Sequence, residues 1–356
     1  MSGDRIRGAF AGLAIGDAAG WPAARHRAAL HAPWSRRLHR ELDAFAEEHG
    51  VTTLPVPFAL NQPTAPLRVG PSDDAEWLAW TALTITRPRT EAFRALLTEQ
   101  PAGAGRPAGG QAGADRAAGG QAGAERAGFG RVRARISVAT ALDNLAKGVE
   151  PPASGHDNPH HFDDAAAVRA VAFGVLGRDP TQDAQVTNAY DGLLGARAMA
   201  AAVAEAVATG SVAGAVEAAL AVLPEDTAIG HNARRALAVT RRAGDPFAAV
   251  PALDDALVDH VYSYGVGAAQ TVPVALALAE ASGGDLGRAV PAAACLASLA
   301  DSAPALAGAL AGACGGYEAM PQGWIASSRT LAGCCLPGLA GRDLIDIANN
   351  LTEENA

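Results

Sequence analysis

Aromatic residues are scarce: Phe, Trp and Tyr together make up 5% of the 356 residues. Charged residues are also thin, at 18%, against 49% hydrophobic residues and 40 glycines. A chain short of aromatic and β-branched strand formers but rich in Ala and Gly must build its core from small side chains. Small side chains let helices approach closely, so an all-α fold is expected. No alternating apolar–polar run is long enough to predict a strand. The apolar content excludes a disordered chain, and the length suffices for one large core or two ordinary domains.

Cysteine is limited to Cys295, Cys314, Cys334 and Cys335. None has CxxC spacing, and an adjacent pair is a poor structural staple. They read as small apolar residues in a reducing compartment. Basic residues number 28 against 37 acidic ones, a formal charge of −9. The one basic stretch, Arg126–Arg135, borders a low-complexity tract, so no nucleic-acid partner is expected. Asp4, Arg5 and Arg7 interrupt any apolar leader, and the Ala-rich stretches carry Glu205, Glu217 or Asp301. Neither a secretory signal nor a membrane partner is expected, and the location predicted is cytoplasmic.

The first helix is predicted over 4–19, with Gly8, Gly12, Gly16 and Gly20 recurring at every fourth position. That spacing lays the glycines on one face, where a second backbone can come close. Each costs roughly 1 kcal/mol of helix propensity against Ala, which points to a packing or site requirement. Residues 21–70 read as loop with short elements, punctuated by six prolines from Pro22 to Pro66. A second helix is predicted over 72–87. Residues 101–128 contain a ten-residue unit, RPAGGQAGAD then RAAGGQAGAE, and read as a flexible insertion. Further helices are predicted over about 131–147, 163–176, 181–208, 211–222, 227–242, 252–262, 271–281, 285–298, 302–315 and 343–351. One helical domain over 1–356 with that insertion is the simplest organisation.

Three polar groups stand out. Ser72-Asp73-Asp74 opens the second helix, where a hydroxyl and two carboxylates suit a hard cation such as Mg²⁺. Taken alone they suit helix capping better, since Ser is a favoured N-cap, Asp complements the dipole and capping by itself accounts for them. Asp301-Ser302 lies in the apolar run CLASLADSAPALAGALAGACGG, where a carboxylate needs a partner: a metal, an Arg or helix N–H groups. The loop from Gly155 holds His156, Asp157, Asn158, His160 and His161 before Asp163-Asp164. Its spacing fits no standard zinc pattern and suits a substrate-contacting loop better. Arg169 follows, either to hold a phosphate or ribose or to pair with an acid. There is no GxSxG elbow, P-loop or dinucleotide fingerprint.

Together these segments resemble the ADP-ribosylglycohydrolase family. Arg5 through Gly20 resembles its RxxGxxxGxxxGDAxG opening helix. Ser72-Asp73-Asp74 resembles its T/S-D-D-T motif, with Ala75 departing. Asp163 to Arg169 falls on a GNGAAMR-like helix start, and Thr187-Asn188 on a T-H pair. ASLADSAPALAGALAGACGG falls on GGDxDTxAAxAGAxxGAxxG. The resemblance covers nearly the whole chain apart from 101–128.

The resemblance implies an orthogonal helical bundle and metal-assisted hydrolysis of an N- or O-glycosidic bond at the anomeric carbon of an ADP-ribosyl or related nucleoside-like substrate. It implies metal ligation by Ser72, Asp73, Asp74, Asp301 and Ser302, and catalytic roles for Asp73, Asp74 and Asp301. His156, Asn158, Asp163, Asp164, Arg169 and Asn188 are the residues expected at the substrate. Many members hold two Mg²⁺ ions. Here Leu299 falls where the second ion has an Asp, and Ala24 near where an acid follows the opening helix. One Mg²⁺ is therefore expected rather than two, with Mn²⁺ as a substitute. The alternative is a catalytically silent, nucleotide-binding or crystallin-like member.

Overall fold

The computed structural model describes residues 2–20, 70–98, 132, 134–258 and 265–353. The expected loop at 21–70, all but its last residue, the insertion at 101–128 and Ala24 lie outside them. In chain order the helices are α1 (Ser2–Ala19), α2 (Asp73–Thr84), α3 (Arg89–Thr98), α4 (Ile136–Ala146), α5 (Ala153–His156) and α6 (Ala165–Gly174). Then come α7 (Thr181–Thr187), α8 (Tyr190–Thr209), α9 (Val212–Ala221), α10 (Ala228–Ala243) and α11 (Pro246–Leu257). The last are α12 (Ala268–Ala281), α13 (Leu286–Ala294), α14 (Ala303–Gly315), α15 (Gln322–Ser328) and α16 (Leu344–Glu353). No strand is present among the described residues. Only isolated bridges pair Asp163 with Gly267 and Thr330 with Asp343.

The core is built around α1 and α14, which run antiparallel in close contact. A Cβ at Gly8 would collide with the Gly312 carbonyl, and one at Gly12 with that of Gly308. One at Gly16 would strike the Pro304 carbonyl, and one at Gly20 that of Ala300. The glycine ladder thus exists to bring two backbones together. α14 is buried on every side from Ala303 to Ala313, as its uniformly small, apolar sequence requires. The remaining core is mostly Ala, Val and Leu, with Phe10, Phe93 and Met199 among its larger members. α8 is the one described helix long and apolar enough to cross a membrane by length and composition. Just over half of that stretch, 56%, is buried inside the bundle, as in a core helix.

Several element boundaries differ from periodicity. The helix expected over 181–208 breaks at Asn188 and Ala189, both extended. Asn188 uses its amide to bond the carbonyls of His161 and Asp163, and these side-chain bonds outcompete helix continuation. Tyr190 follows with a left-handed φ of 47°, unusual for an aromatic residue. α11 begins at Pro246 and not near 252, because Asp245 caps it through the Phe247 and Ala248 N–H groups and Pro246 suits the first helical position. The helix expected over 285–298 stops at Ala294. A short 3-10 turn, Ala297–Leu299, then leads to Asp301 and Ser302. α3, α5 and α15 were not expected from the pattern.

Candidate active site

The α1–α14 ladder fixes the end of α1 beside the start of α14, and there the polar residues collect. Asp17, buried near the end of α1, accepts the Ser72 N–H at 2.5 Å and the Ala75 N–H at 3.1 Å through Oδ2. Its other oxygen accepts the Ser72 hydroxyl. Asp17 therefore caps α2 from another helix. Ser72 makes no side-chain cap bond of its own, so its expected capping role passes to Asp17. Asp73 and Asp74 are freed from capping.

The starts of α6 and α14 behave alike. Asp164 and Ser302 occupy their N-cap positions, yet neither side chain makes a cap bond. The Ser302 hydroxyl lies 3.3 Å from Asp164 Oδ1 instead. Three helix N-termini thus converge with their acidic and hydroxyl groups directed inward, and their dipoles favour negative charge there.

Arg135 sits at the centre. Its Nε donates to Asp73 Oδ2 at 3.1 Å, and its Nη1 to Asp164 Oδ1. Its Nη2 donates to Asp74 Oδ1 at 2.6 Å and to Ser302 Oγ at 2.8 Å, and lies 3.6 Å from Asp301 Oδ2. The Arg135 side chain is 7% exposed. Burial would lower its pKa, but Asp74, Asp73, Asp164 and Asp301 outweigh burial and raise it. One positive charge does not balance four carboxylates. Burial pushes the Asp74 carboxyl well above its ordinary range, despite Arg135, with Asp73, Asp17 and Asp164 adding to the rise. Burial likewise lifts Asp164 to about 7 against the pull of Arg135.

The donor set fits a hard divalent cation. Every ligand atom offered is oxygen, and Asp74 Oδ2 and Asp164 Oδ2 are buried without a hydrogen-bond partner. Asp73, Asp74, Asp164, Asp301 and Ser302 would hold it, with Ser72 behind them, its hydroxyl 3.4 Å from Asp73 Oδ1. Leu299 offers no donor and is fully buried.

The residues expected at the substrate divide. Asp164 joins the acid cluster. Asp163 is fully buried and accepts from the Ala165 N–H at 3.1 Å and the Asn188 amide at 2.9 Å. Asn158 bonds the Ser137 and Thr187 carbonyls and brackets the loop internally. Asn188 ties α7 to the 161–163 turn. Arg169 is fully buried, bonded to Asp183 at 2.7 Å and to Thr187 Oγ1 at 2.7 Å, and stacked over Phe93. Arg89 takes the other Asp183 oxygen at 2.9 Å. Arg169 is thereby a structural cation between α6 and α7, out of reach of a ligand. His156 alone is exposed, its Nε2 2.8 Å from the Tyr190 hydroxyl.

Among the described residues, the acidic or thiol group whose ligand atoms already lie within 4.8 Å of one another is a different one, Glu76, Cys334 and Cys335. Glu76 already accepts the N–H groups of Cys334, Cys335 and Leu336 at 2.6, 2.8 and 2.8 Å. Its carboxylate anchors the 334–336 segment to α2. The Cys335 thiol is pushed far up by its bond to Cys334 and by burial, which opposes ligation.

Sequence reasoning missed Asp17 and Arg135. The first lay in view inside the GDAAG segment. The second ends the basic stretch, and no local signal points it at partners 29 to 167 residues distant, from Asp164 to Ser302.

The chain belongs to the ADP-ribosylglycohydrolase family, whose model matches residues 2–355. Among solved structures it is similar to an ADP-ribosylglycohydrolase-related protein complex, at 18% identity and a TM-score of 0.53. That match covers 100% of this chain and 99% of the other, and supports the fold. No curated protein matches the sequence.

Proposed function

We propose that this protein hydrolyses an N- or O-glycosidic bond at the anomeric carbon of an ADP-ribosyl or related nucleoside-like substrate, assisted by one Mg²⁺ or Mn²⁺. The observation that carries the reading is the convergence of Asp73, Asp74, Asp164, Asp301 and Ser302, with buried carboxylate oxygens on Asp74 and Asp164 that no donor satisfies. A bound cation supplies charge neutralisation and Lewis-acid polarisation of sugar oxygens. Asp73 or Asp74 accepts the proton of the attacking water. The other carboxylates face the positive charge that develops on the sugar ring. His156, exposed beside Tyr190, offers a contact for the ligand.

The test is release of ADP-ribose from arginine-, serine- and nucleoside-type linkages with Mg²⁺ or Mn²⁺ present. Hydrolysis that disappears in Asp73→Ala and Asp301→Ala supports the reading. A second reading, a catalytically silent ligand binder, is favoured by Arg135 in the cation position and by Leu299. Saturable ADP-ribose binding without turnover of any linkage would decide for it.

A further inference from the structure

We propose that Arg135 is an internal cation that competes with a divalent metal ion for the same carboxylates, so that ion binding and insertion of this side chain exclude one another. The inference rests on the proposed cation site. It adds that the chain carries its own occupant for that site.

The guanidinium uses Nε, Nη1 and Nη2 at once, reaching Asp73, Asp74, Asp164 and Ser302, with Asp301 at 3.6 Å. These are the donors a metal would need. A guanidinium and a metal ion cannot both lie at their centre, since like charges repel there and Asp73 Oδ2, Asp74 Oδ1 and Asp164 Oδ1 already accept from Arg135. Arg135 fills the position incompletely. It leaves Asp74 Oδ2 and Asp164 Oδ2 buried without a donor and brings one positive charge to four acids.

Two opposed effects set the balance. Arg135 is tethered, so its local concentration is high and its association entropy is already spent. A divalent ion brings twice the charge but must shed water to enter. The tether wins when free metal is scarce, and the ion gains with concentration. Only the side chain has to move. Arg135 stands at the N-cap of α4, outside the helix, with an extended ψ of 160°, and makes no side-chain cap bond. Its carbonyl accepts the Ala139 N–H at 2.9 Å. When the side chain rotates away, the first turn of α4 loses its anchor to the acids while the rest of the helix stands. By linkage, whatever factor the ion gains from losing Arg135, Arg135 loses from the presence of the ion.

Calorimetric titration with Mn²⁺ alone, on the full chain and on Arg135→Ala, tests this. The variant should bind Mn²⁺ at least ~tenfold more tightly, because removing the competing state restores the binding-competent fraction. Arg135→Ala removes the one guanidinium shared by four acids and can fail to fold, so Arg135→Gln, which removes the charge but keeps part of the bulk and one N–H₂ donor group, is run beside it. Hydrogen exchange on the unaltered chain gives an independent readout. Saturating Mn²⁺ should speed exchange of the amides at 134–138 while slowing it at 73–76. Equal, tight Mn²⁺ binding by all three chains, with 134–138 unchanged, overturns the competition and leaves the cation reading standing. No Mn²⁺ binding by any of them overturns the cation reading itself, and the competition with it.

Discussion

Asp17 on the first helix accepts both the backbone N–H and the hydroxyl of Ser72, across 55 positions of sequence, and so caps the second helix from outside. A cap supplied by a neighbouring helix frees the residues at the helix start for other work. Asp73 and Asp74 turn toward Arg135 for that reason.

Asp17→Ala should therefore cost both stability and site geometry. Three donors lose their buried acceptor, and a stranded buried donor costs ~1–3 kcal/mol. Chemical denaturation should show a loss of at least ~2 kcal/mol, and hydrolysis should fall with it. Unchanged stability would mean that Ser72 can cap α2 itself.

Gly12→Ala tests the ladder. The new methyl would meet the Gly308 carbonyl, and only separation of α1 and α14 relieves the clash. Overpacking of this kind costs ~1–3 kcal/mol, which outweighs the ~1 kcal/mol gained in helix propensity. Gly3→Ala is the control, since nothing lies within 4 Å of a Cβ there. It should hold or raise the melting temperature while Gly12→Ala lowers it.

Acid should act through Asp183. Burial alone would raise its pKa, but Arg169 and Arg89 overcome that and hold it below the ordinary 3.8. A carboxyl lowered in the folded state contributes stability that is complete above its unfolded value and lost as pH falls through the folded one. Denaturation followed downward from pH 5 should show this loss, and Asp183→Asn should flatten that part of the curve. Arg169→Ala should destabilise the fold by ~3–5 kcal/mol, as breaking a buried pair does. If it instead raises KM with stability intact, Arg169 touches substrate.

Leu299→Asp places a carboxylate at a fully buried position beside the turn that carries Asp301. Without metal the variant should melt below the unaltered chain, because an unpaired buried charge is costly. Mn²⁺ should recover much of the difference by binding the native state alone, which raises stability with ion concentration. Melting unaffected by Mn²⁺ would place residue 299 out of reach of any ion.

The sequence by itself determined the all-helical fold, most helix positions and the glycine face of α1. All of these follow from local propensity and from a periodicity visible within one segment. It also marked Ser72, Asp73, Asp74, Asp301 and Ser302 as polar residues at helix starts, but left capping and ligation undecided. Only the tertiary structure shows that Ser72 and Ser302 make no side-chain cap bond, because a cap bond and a long-range partner compete for the same oxygen. Asp17 takes over the cap of α2, and Arg135 draws on Asp74 from 61 residues away. Arg169 shows the same limit from the other side: a single arginine in a sequence does not reveal whether it meets Asp183 in the core or a phosphate in a cleft. Helix packing sets which charges meet, and the energy of a charge depends on what it meets.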